Sequence, residues 1–563
     1  MAALYINAAT LITICIFIIS PVLILLISAT RLSKTKPKSK NGSPLNLPPG
    51  SLGWPVLGET LEYLGTNYKG LPGKFVTDRI RNYKSRVFKT SLLGERMVVL
   101  WGPAGNKFLF GNENKKVAVW WPTSVRNLLG TCLATTGGAE GLRMRRRLAH
   151  FLSPDAFSKL YLRTVDLASR QHLDFHWRGK DELKVFPTIK LYLFEVACQL
   201  FMSVDDSSLT KKLFSHFNIF LSGILSIPLD FPGTKYYRGK RAADAIRKEL
   251  RIILEHRKKA LERKTTSPPQ DLLSHLLQTP DDNGEFMSEK VIVNNVLLLL
   301  WAGHDTSACT ITLLMKALAE HPEVYEMVLR EQNEIASSKK SGECLQWEDI
   351  QRMRYSWNVV CETLRMWPPV IGAYREALEN ISYEGYDIPK GWKFYWNMQS
   401  IHEDPSLFPD ETKFDPSRFD GSGPVPYSFV AFGGGPRMCV GKEFARLEIL
   451  IFLHNLVRRF KWELVLPEEK ICADPFMTPE KGLPIRLHPH AHRTVRSRIF
   501  FSRPAAGRGR AIIIALTTPA RETDSIVVKR SGYTAFCLPR KHSLAPATRR
   551  NPALDNDPPL KKC

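Results

Sequence analysis

The spacing of apolar residues along the chain mostly follows the period of an α-helix. From about Asp155 to Arg375, apolar residues recur every three to four positions, which predicts a succession of amphipathic helices. Val291–Pro322 is apolar on nearly all sides and predicts a helix buried in the core. Strand-like runs are short and bounded by turn residues, near Val87–Trp101 and Ile381–Trp396. The pattern predicts a mainly α fold with small β-sheets.

An uncharged apolar run near the N-terminus, Ala8–Ser28, has about the length that crosses a bilayer. Basic residues and no acidic ones follow it, at Arg31, Lys34, Lys36, Lys38 and Lys40. The positive-inside rule then puts the body of the protein in the cytosol. We therefore expect a transmembrane anchor over residues 1–30. The alternative is a cleaved signal peptide, and the basic residues on the C-terminal flank argue against it.

Composition divides the rest of the chain into three parts. Residues 31–60 are expected to be a basic and proline-rich hinge, because Leu45–Thr60 is dense in Pro and Gly and cannot continue a helix. The folded body is expected over residues 61–490, ending in a last strand near Gly482–His490. Residues 491–563 hold 15 Arg and Lys against 4 Asp and Glu, with little periodicity. They predict a disordered extension or an artefact of the gene model; the alternative is a basic arm for RNA or anionic lipid.

Length and charge limit the classes of function. The chain has 563 residues, of which 44% are hydrophobic and 24% charged, and its net charge is +24. Close to half of that positive excess lies beyond residue 490, so the charge does not indicate a body that binds nucleic acid. The ten cysteines form no C-x-x-C pair and no regular framework, which is typical of reduced cytosolic thiols.

A glycine-rich loop with one cysteine is the strongest chemical signal, FVAFGGGPRMCVG at Phe429–Gly441. Its glycines permit the close approach of a flat, bulky partner. Cys439 precedes a helical stretch whose N-terminus stabilises a thiolate, as a metal ligand requires. Phe432 offers an aromatic face, and Arg437 offers a cation to an anionic edge of the partner. The alternative is a buried, inert cysteine.

Two further motifs carry polar residues in apolar surroundings. AGHDTS, at Ala302–Ser307, lies inside the predicted buried helix, where Gly303 and Thr306 are expected to open the helix locally. The alternative is an ordinary mid-helix threonine beside a paired, buried aspartate. ETLR places Glu362 and Arg365 one helical turn apart, a pair that has little weight alone.

These motifs resemble those of the cytochrome P-450 superfamily. Its haem-binding loop, F-x-x-G-x-R-x-C-x-G, is filled here by Phe432, Gly435, Arg437, Cys439 and Gly441. The resemblance implies the cytochrome P-450 fold, a triangular prism-like helical body behind an N-terminal transmembrane helix. It also implies that Cys439 is the axial thiolate of the iron in haem b, and that the other loop residues help to bind that cofactor.

The resemblance also implies roles for the other motifs. AGHDTS resembles the oxygen-binding groove of the family, so Thr306 and Asp305 are expected to be catalytic, with Asp305 supporting proton delivery. ETLR, together with Arg418 in FDPSRF, resembles a buried triad that supports the cysteine segment. This triad would be structural.

The haem propionates need cationic partners, and the resemblance implies Arg437 and Arg375. A third is expected from an earlier helix, where relatives carry W-x-x-x-R. Arg145 is our assignment, with Arg146 as the alternative. The tryptophan of that motif is replaced here by Gly141 or Leu142.

The resemblance implies a monooxygenase of the endoplasmic reticulum membrane that uses O₂. Its electrons would come from NADPH through NADPH–cytochrome P-450 reductase, with cytochrome b5 as a further electron donor. Several segments resemble plant oxidases of triterpenoids and taxoids, including RFKWELVLPEEK, so a hydrophobic β-amyrin-type triterpenoid is the expected substrate. A sterol or brassinosteroid is the alternative substrate. Rival classes are a haem-thiolate isomerase or dehydratase acting on a hydroperoxide, and a non-catalytic haem or membrane scaffold protein.

Overall fold

The computed structural model describes residues 45–490 except 154–155, 157–160, 264–270, 282 and 341, together with the backbone of three short segments beyond residue 511. The predicted anchor, residues 1–30, and the first part of the predicted hinge lie outside the described residues. The chain divides into two compact units between Pro489 and His490, and each is described by itself.

Helices make up most of the first unit, as the periodicity predicts. In chain order they are α1 (Thr60–Tyr68), α2 (Lys74–Tyr83), α3 (Gly102–Gly111), α4 (Thr123–Leu129), α5 (Gly138–Phe151), α6 (Leu162–His176), α7 (Val185–Met202), α8 (Ser207–Ile224), α9 (Lys235–Glu262), α10 (Leu272–Gln278), α11 (Glu289–Glu320), α12 (Pro322–Ser337), α13 (Trp347–Arg352), α14 (Arg354–Met366), α15 (Gln399–His402) and α16 (Lys442–Val457).

The strands are short and gather in small sheets. They are β1 (Val87–Leu92), β2 (Glu95–Leu100), β3 (Val117–Val119), β4 (Glu182–Lys184), β5 (Gly372–Ala377), β6 (Ile381–Tyr383), β7 (Tyr386–Ile388), β8 (Lys393–Asn397), β9 (Phe460–Leu464), β10 (Ile471–Ala473), β11 (Met477–Pro479) and β12 (Pro484–Pro489). The largest sheet has the order β1-β2-β8-β5-β3, and β4-β12-β9, β10-β11 and β6-β7 form the others. The fold class predicted from the sequence is confirmed.

Helix α11 is the central element of the core. Nearly every side chain from Ile292 to Leu318 is buried, because apolar residues cover all sides of the helix and neighbouring helices surround it. It packs against α7, α9, α14 and α16. Helices α7 and α11 are long and apolar enough to cross a membrane, but most of each is buried inside the body, as expected for core helices. These contacts position the polar AGHDTS segment in the protein interior.

The described part of the proline-rich segment already belongs to the body. Asn46 N–H donates to Asp387 Oδ2 at 2.9 Å, and the Lys89 ammonium donates to the carbonyl oxygen of Pro48 at 2.6 Å. The backbone at Gly50 bridges strand β1 at Lys89. Contacts with the body therefore begin by residue 46, within the segment that the sequence predicts to be a hinge.

The second unit contains three short strands, β13 (Ile512–Ala515), β14 (Ser525–Lys529) and β15 (Cys537–Pro539). They form one antiparallel sheet in that order. Ile- and Val-rich runs favour strand pairing of this kind. The disordered extension or gene-model artefact expected over residues 491–563 remains a prediction. The rest of residues 491–563 lies outside the described residues.

Candidate active site

The cysteine loop joins a short 3₁₀ helix, Gly435–Arg437, to helix α16. The Cys439 N–H donates to the carbonyl oxygen of Phe432 at 2.8 Å, which closes the loop. Helix α16 begins at Lys442, so the thiol lies close to the positive end of a helix dipole. The sequence therefore places a single thiol at a helix N-terminus, as predicted.

The Cys439 residue is exposed to solvent. The surrounding protein is nevertheless dense enough that burial raises the pKa of its thiol. A hydrogen bond from the Gly441 N–H and the charge of Arg145 act in the opposite direction. These two groups favour the thiolate, and a bound metal ion deprotonates a coordinating thiol outright.

The glycines of the loop accommodate a neighbouring helix. A Cβ at Gly434 would lie 2.4 Å from the Phe110 ring, and one at Gly435 would lie 2.5 Å from the Phe110 carbonyl oxygen. Gly435 also has a φ of +62°, which disfavours other residues. The sequence predicts that the loop glycines let a flat partner approach the backbone. At Gly434 and Gly435 the group that approaches is Phe110, at the C-terminal end of α3.

Two buried arginines meet at one carboxylate beside the loop. Arg375 Nε donates to Glu113 Oε2 at 2.5 Å, and Arg437 Nε lies 3.5 Å from Glu113 Oε1. Arg437 also donates to the carbonyl oxygens of Leu133, at 2.9 Å, and Thr136. The side chains of Glu113, Arg375 and Arg437 are 1%, 7% and 10% exposed. This arrangement brings together β5, the cysteine loop and the segment after α3.

Arg145, and not Arg146, faces this cluster. The charge of Arg145 acts on the Cys439 thiol. Burial lowers the pKa of Arg437, Glu113 opposes that shift, and the positive charges of Arg375 and Arg145 lower it further. Arg146 is exposed and lines a surface crevice instead.

The missing tryptophan of the W-x-x-x-R pattern has a steric explanation. Gly141 lies one helical turn before Arg145 in α5. A Cβ at Gly141 would lie 3.0 Å from Arg437 Nη2 and 2.4 Å from the carbonyl oxygen of Thr136. The Arg437 guanidinium thus occupies space that a larger side chain at residue 141 would need.

Helix α11 has one accessible patch in its buried middle. Residues 292–300 are buried, and partly accessible residues follow at Trp301, Ala302, Gly303 and Thr306. A Cβ at Gly303 would approach nothing closer than Phe201 Cε2, at 3.9 Å. The Thr306 hydroxyl donates to the carbonyl oxygen of Ala302 at 2.7 Å. The helix continues unbroken, so the predicted opening consists of free space and a diverted hydroxyl rather than a break in the helix.

Asp305 and His304 face away from this patch into the core. Asp305 Oδ1 lies 2.7 Å from the ammonium of Lys190 on α7, and both side chains are buried. The His304 ring packs edge-on against Phe194 of α7 and Phe217 of α8. His304 Nδ1 lies 2.5 Å from the carbonyl oxygen of Leu300, whereas its buried Nε2 has no hydrogen-bond partner among the described residues. His304 is therefore a core residue with one ring nitrogen satisfied, and Asp305 is a paired, buried acid on a different side of the helix from Thr306.

The predicted triad forms a buried clamp. Arg365 donates to both carboxylate oxygens of Glu362, at 2.7 and 2.8 Å. Arg418 Nε donates to Glu362 Oε1 at 3.3 Å, and the Asp415 N–H donates to the same oxygen at 3.0 Å. Bidentate geometry makes this clamp stronger than a surface ion pair.

His402 links the clamp to the cysteine segment. Its Nδ1 lies 3.1 Å from the Arg365 carbonyl oxygen, and its Nε2 accepts from the Val430 N–H at 3.2 Å. A neutral imidazole with the proton on Nδ1 satisfies both contacts. Burial, followed by the charge of Arg365, lowers the pKa of His402 to about 3. The neutral ring therefore fixes Val430, nine residues before the thiol.

An aromatic stack supports the other side of the loop. Phe432 stacks on Trp357 of α14 with ring centroids 6.4 Å apart, and the Arg446 guanidinium lies 5.4 Å from the Trp357 ring centroid. Phe432 therefore fixes the loop against α14, in addition to any contact with a cofactor.

The sequence matches the cytochrome P-450 family over residues 48–486. The chain belongs to the cytochrome P-450 family. It is similar to a beta-amyrin 28-monooxygenase of Vitis vinifera, with 50% identity over 85% of this chain and 98% of the relative. A beta-amyrin 28-monooxygenase of Medicago truncatula is also 50% identical, over 80% of this chain and 94% of the relative.

A solved structure shares the fold. Retinoic acid-bound cyanobacterial CYP120A1 has a TM-score of 0.71 and 33% identity, covering 79% of this chain and all of that chain. The 563-residue chain, as a member of this family, is a monooxygenase with haem held by a cysteine thiolate. It uses O₂, electrons from a reductase and a hydrophobic substrate. The family and the apolar run Ala8–Ser28 indicate association with a membrane.

The described residues fit haem. Cys439 supplies a thiol, and Arg145, Arg375 and Arg437 converge on its loop. With Glu113 ionised, these arginines leave two positive charges, the number that balances two propionates. The open space beside Gly303 supplies an accessible surface on helix α11.

Four supporting residues were missed in the sequence: Glu113, Lys190, Trp357 and His402. Their partners lie far away along the chain; Glu113 and Arg375, for example, are 262 residues apart. A charged residue inside an apolar helical pattern was the one available signal for Lys190, since a buried lysine needs a partner.

Proposed function

We propose that this protein is a membrane-anchored monooxygenase that inserts one oxygen atom from O₂ into a cyclic triterpenoid of the β-amyrin type. The substrate class is supported by the identity of 50%, over most of both chains, with two proteins named beta-amyrin 28-monooxygenase. The side chains that pack around α11 are largely apolar, which favours a hydrophobic substrate.

Cys439 is the proposed thiolate ligand of the haem iron. Arg437, Arg375 and Arg145 are the proposed partners of the propionates, since their charges converge within the protein. Gly441 supports the thiolate by its N–H, while Phe432 and Gly435 fix the loop on α14 and α3. When bound, haem would activate O₂ with two protons and two electrons from NADPH, delivered by NADPH–cytochrome P-450 reductase. One oxygen atom would convert a C–H bond of the substrate into C–OH, and the other would leave as water.

Thr306 and Asp305 are the proposed catalytic residues of helix α11. The Thr306 hydroxyl lies on the accessible patch and can turn from the Ala302 carbonyl to hold a proton at Oγ1 beside the reacting oxygen. Asp305 supports proton delivery from behind, with its carboxylate fixed by Lys190. Glu362, Arg365 and Arg418 keep the cysteine segment in place and take no part in the chemistry.

The proposed cellular setting is the endoplasmic reticulum membrane. Residues 1–30 would form a single transmembrane helix, and the basic residues after it would keep the catalytic body on the cytosolic side. In that setting the reductase reaches the body directly, and cytochrome b5 is a further electron donor.

Product analysis in engineered yeast tests this proposal. Cells that make β-amyrin and carry a plant reductase would express the full chain, the Cys439→Ala variant, or the Cys344→Ala variant, which removes a partly exposed cysteine elsewhere. We expect a product with one added oxygen from the full chain and from Cys344→Ala, and none from Cys439→Ala. Equal product from all three would refute the site, and haem-loaded protein without any product would refute the substrate class.

A further inference from the structure

Glu113 is a buried acid at the arginine cluster that the proposed chemistry does not use. It lies directly after helix α3, in a turn that is tied down on both sides. The Asn112 side chain donates to the carbonyl oxygen of Phe108 at 2.8 Å, and Asn114 Oδ1 accepts from the Gly138 N–H at 2.9 Å. These two hydrogen bonds hold the backbone on both sides of Glu113, one to α3 and the other to the start of α5. The position of the Glu113 carboxylate is therefore fixed.

The carboxylate contacts the two arginines through their Nε atoms. One oxygen accepts from Arg375 at 2.5 Å, and the other lies 3.5 Å from Arg437. Within the described residues, neither Glu113 Oε1 nor Arg437 Nε has a hydrogen-bond partner, so the contact between them is an ion pair at 3.5 Å. Arg375 Nη1 donates to the carbonyl oxygen of Tyr374, and both Nη atoms of Arg437 donate to backbone carbonyls, those of Leu133 and Thr136. Glu113 thus determines how both planar groups are turned.

A buried negative charge at this position also affects the electrostatics of the cofactor site. Interactions between charges are several times stronger in the protein interior than in water, and the environment of a haem tunes its potential. A nearby carboxylate disfavours the addition of an electron. It therefore makes the reduction potential more negative.

We propose that Glu113 is a positioning residue that orients Arg375 and Arg437 toward the haem propionates and makes the reduction potential of the bound haem more negative. The inference rests on the propionate assignment made under the proposed function. The inference adds one acidic residue, Glu113, to the proposed propionate partners, which are all arginines.

The test compares reduction potentials of the full-length, haem-loaded protein by spectroelectrochemical titration. Glu113→Gln removes the charge and keeps the shape, whereas Glu113→Asp keeps the charge. The matched control is Asp166→Asn, because Asp166 is another buried carboxylate that accepts two hydrogen bonds from one arginine, Arg170. We expect a shift to more positive potential in Glu113→Gln, several times larger than in Asp166→Asn, and a potential near that of the wild type in Glu113→Asp.

The haem content of each variant is a second measurement, which tests the proposal even if a variant does not bind haem. Loading of Glu113→Asp without loading of Glu113→Gln would support a positioning role for the charge. A loaded Glu113→Gln with an unchanged potential, or loss of loading in both variants, would overturn the proposal. A wild-type protein without a haem-thiolate spectrum would instead contradict the proposed function.

Discussion

Lys190 Nζ lies 2.7 Å from Asp305 Oδ1, and this ion pair joins helices α7 and α11 where both side chains are buried. A charge in such a position is strongly destabilising without its partner, since the protein interior solvates it poorly. The pair therefore fixes the acid that precedes Thr306 in sequence, on the side of α11 that faces the core.

Replacing Lys190 with Met should destabilise the protein by about 3–5 kcal/mol, because the Asp305 carboxylate loses its partner. Adding Asp305→Asn to Lys190→Met should recover most of that loss, since no buried charge remains. Thermal unfolding of the haem-loaded protein measures both effects. The control Lys212→Met breaks a more exposed pair with Glu249 and should change stability by less than about 1 kcal/mol. Equal effects of Lys190→Met and Lys212→Met would contradict the buried pair.

Thr306→Ala should uncouple electron use from product formation. Removal of the accessible hydroxyl leaves no side-chain group at that point to hold a proton, so product formed per NADPH consumed should fall about tenfold or more. Thr306→Ser should retain most of the coupling. Thr310→Ala is the matched control, because Thr310 makes the same kind of bond to the carbonyl four residues earlier but is buried. Unchanged coupling in Thr306→Ala would count against a catalytic role.

The stability of the fold should fall as the pH is lowered below about 6.5, in part through His402. The pKa of this buried ring is about 3 in the folded protein against a usual 6.5, so between these values the unfolded state binds a proton that the folded state does not. The free energy of unfolding then decreases by roughly 1.4 kcal/mol per pH unit below 6.5 for this residue.

His402→Gln removes that contribution and keeps a donor and an acceptor for Arg365 and Val430. The slope of unfolding free energy against pH, measured by denaturant titration between pH 6 and 4, should drop by one proton. A slope equal to that of the wild type would show that the His402 ring binds a proton in the folded protein as it does in the unfolded chain. His488→Gln, at a partly exposed ring on β12, is the control.

Gly141→Trp, which restores the residue found in the W-x-x-x-R pattern, should be harmful in this chain. A side chain there meets the Arg437 guanidinium and the Thr136 carbonyl, so we expect a loss of about 1–3 kcal/mol from overpacking, with reduced haem content. Leu142→Trp is the control, because Leu142 is 38% exposed and has room. Haem content equal in the two variants would mean that Arg437 moves aside without consequence.

The sequence predicted most of the fold because its signals are local. The buried helix expected over Val291–Pro322 is α11, Glu289–Glu320, and the last strand expected near Gly482–His490 is β12. The strand-like run Val87–Trp101 contains two strands that pair with each other across a tight turn.

Residues of the candidate site could be predicted from the sequence only where they belong to a recognisable motif. The clamp of Glu362, Arg365 and Arg418 was expected from the family resemblance, and the structure brings the three side chains together. Glu113 and His402 could not be found, because their contacts join segments distant in sequence and no periodicity marks them. The reason for glycine at residues 434 and 435 was also hidden, since it depends on the position of Phe110.

The central claim is that Cys439 is the thiolate ligand of haem iron, and the carbon monoxide difference spectrum of the reduced protein tests it most directly. Membranes containing the wild type, Cys439→Ser or Cys344→Ser would be compared at equal protein content. The account predicts the haem-thiolate band for the wild type and Cys344→Ser, and its loss in Cys439→Ser. A full haem-thiolate band in Cys439→Ser would contradict the account.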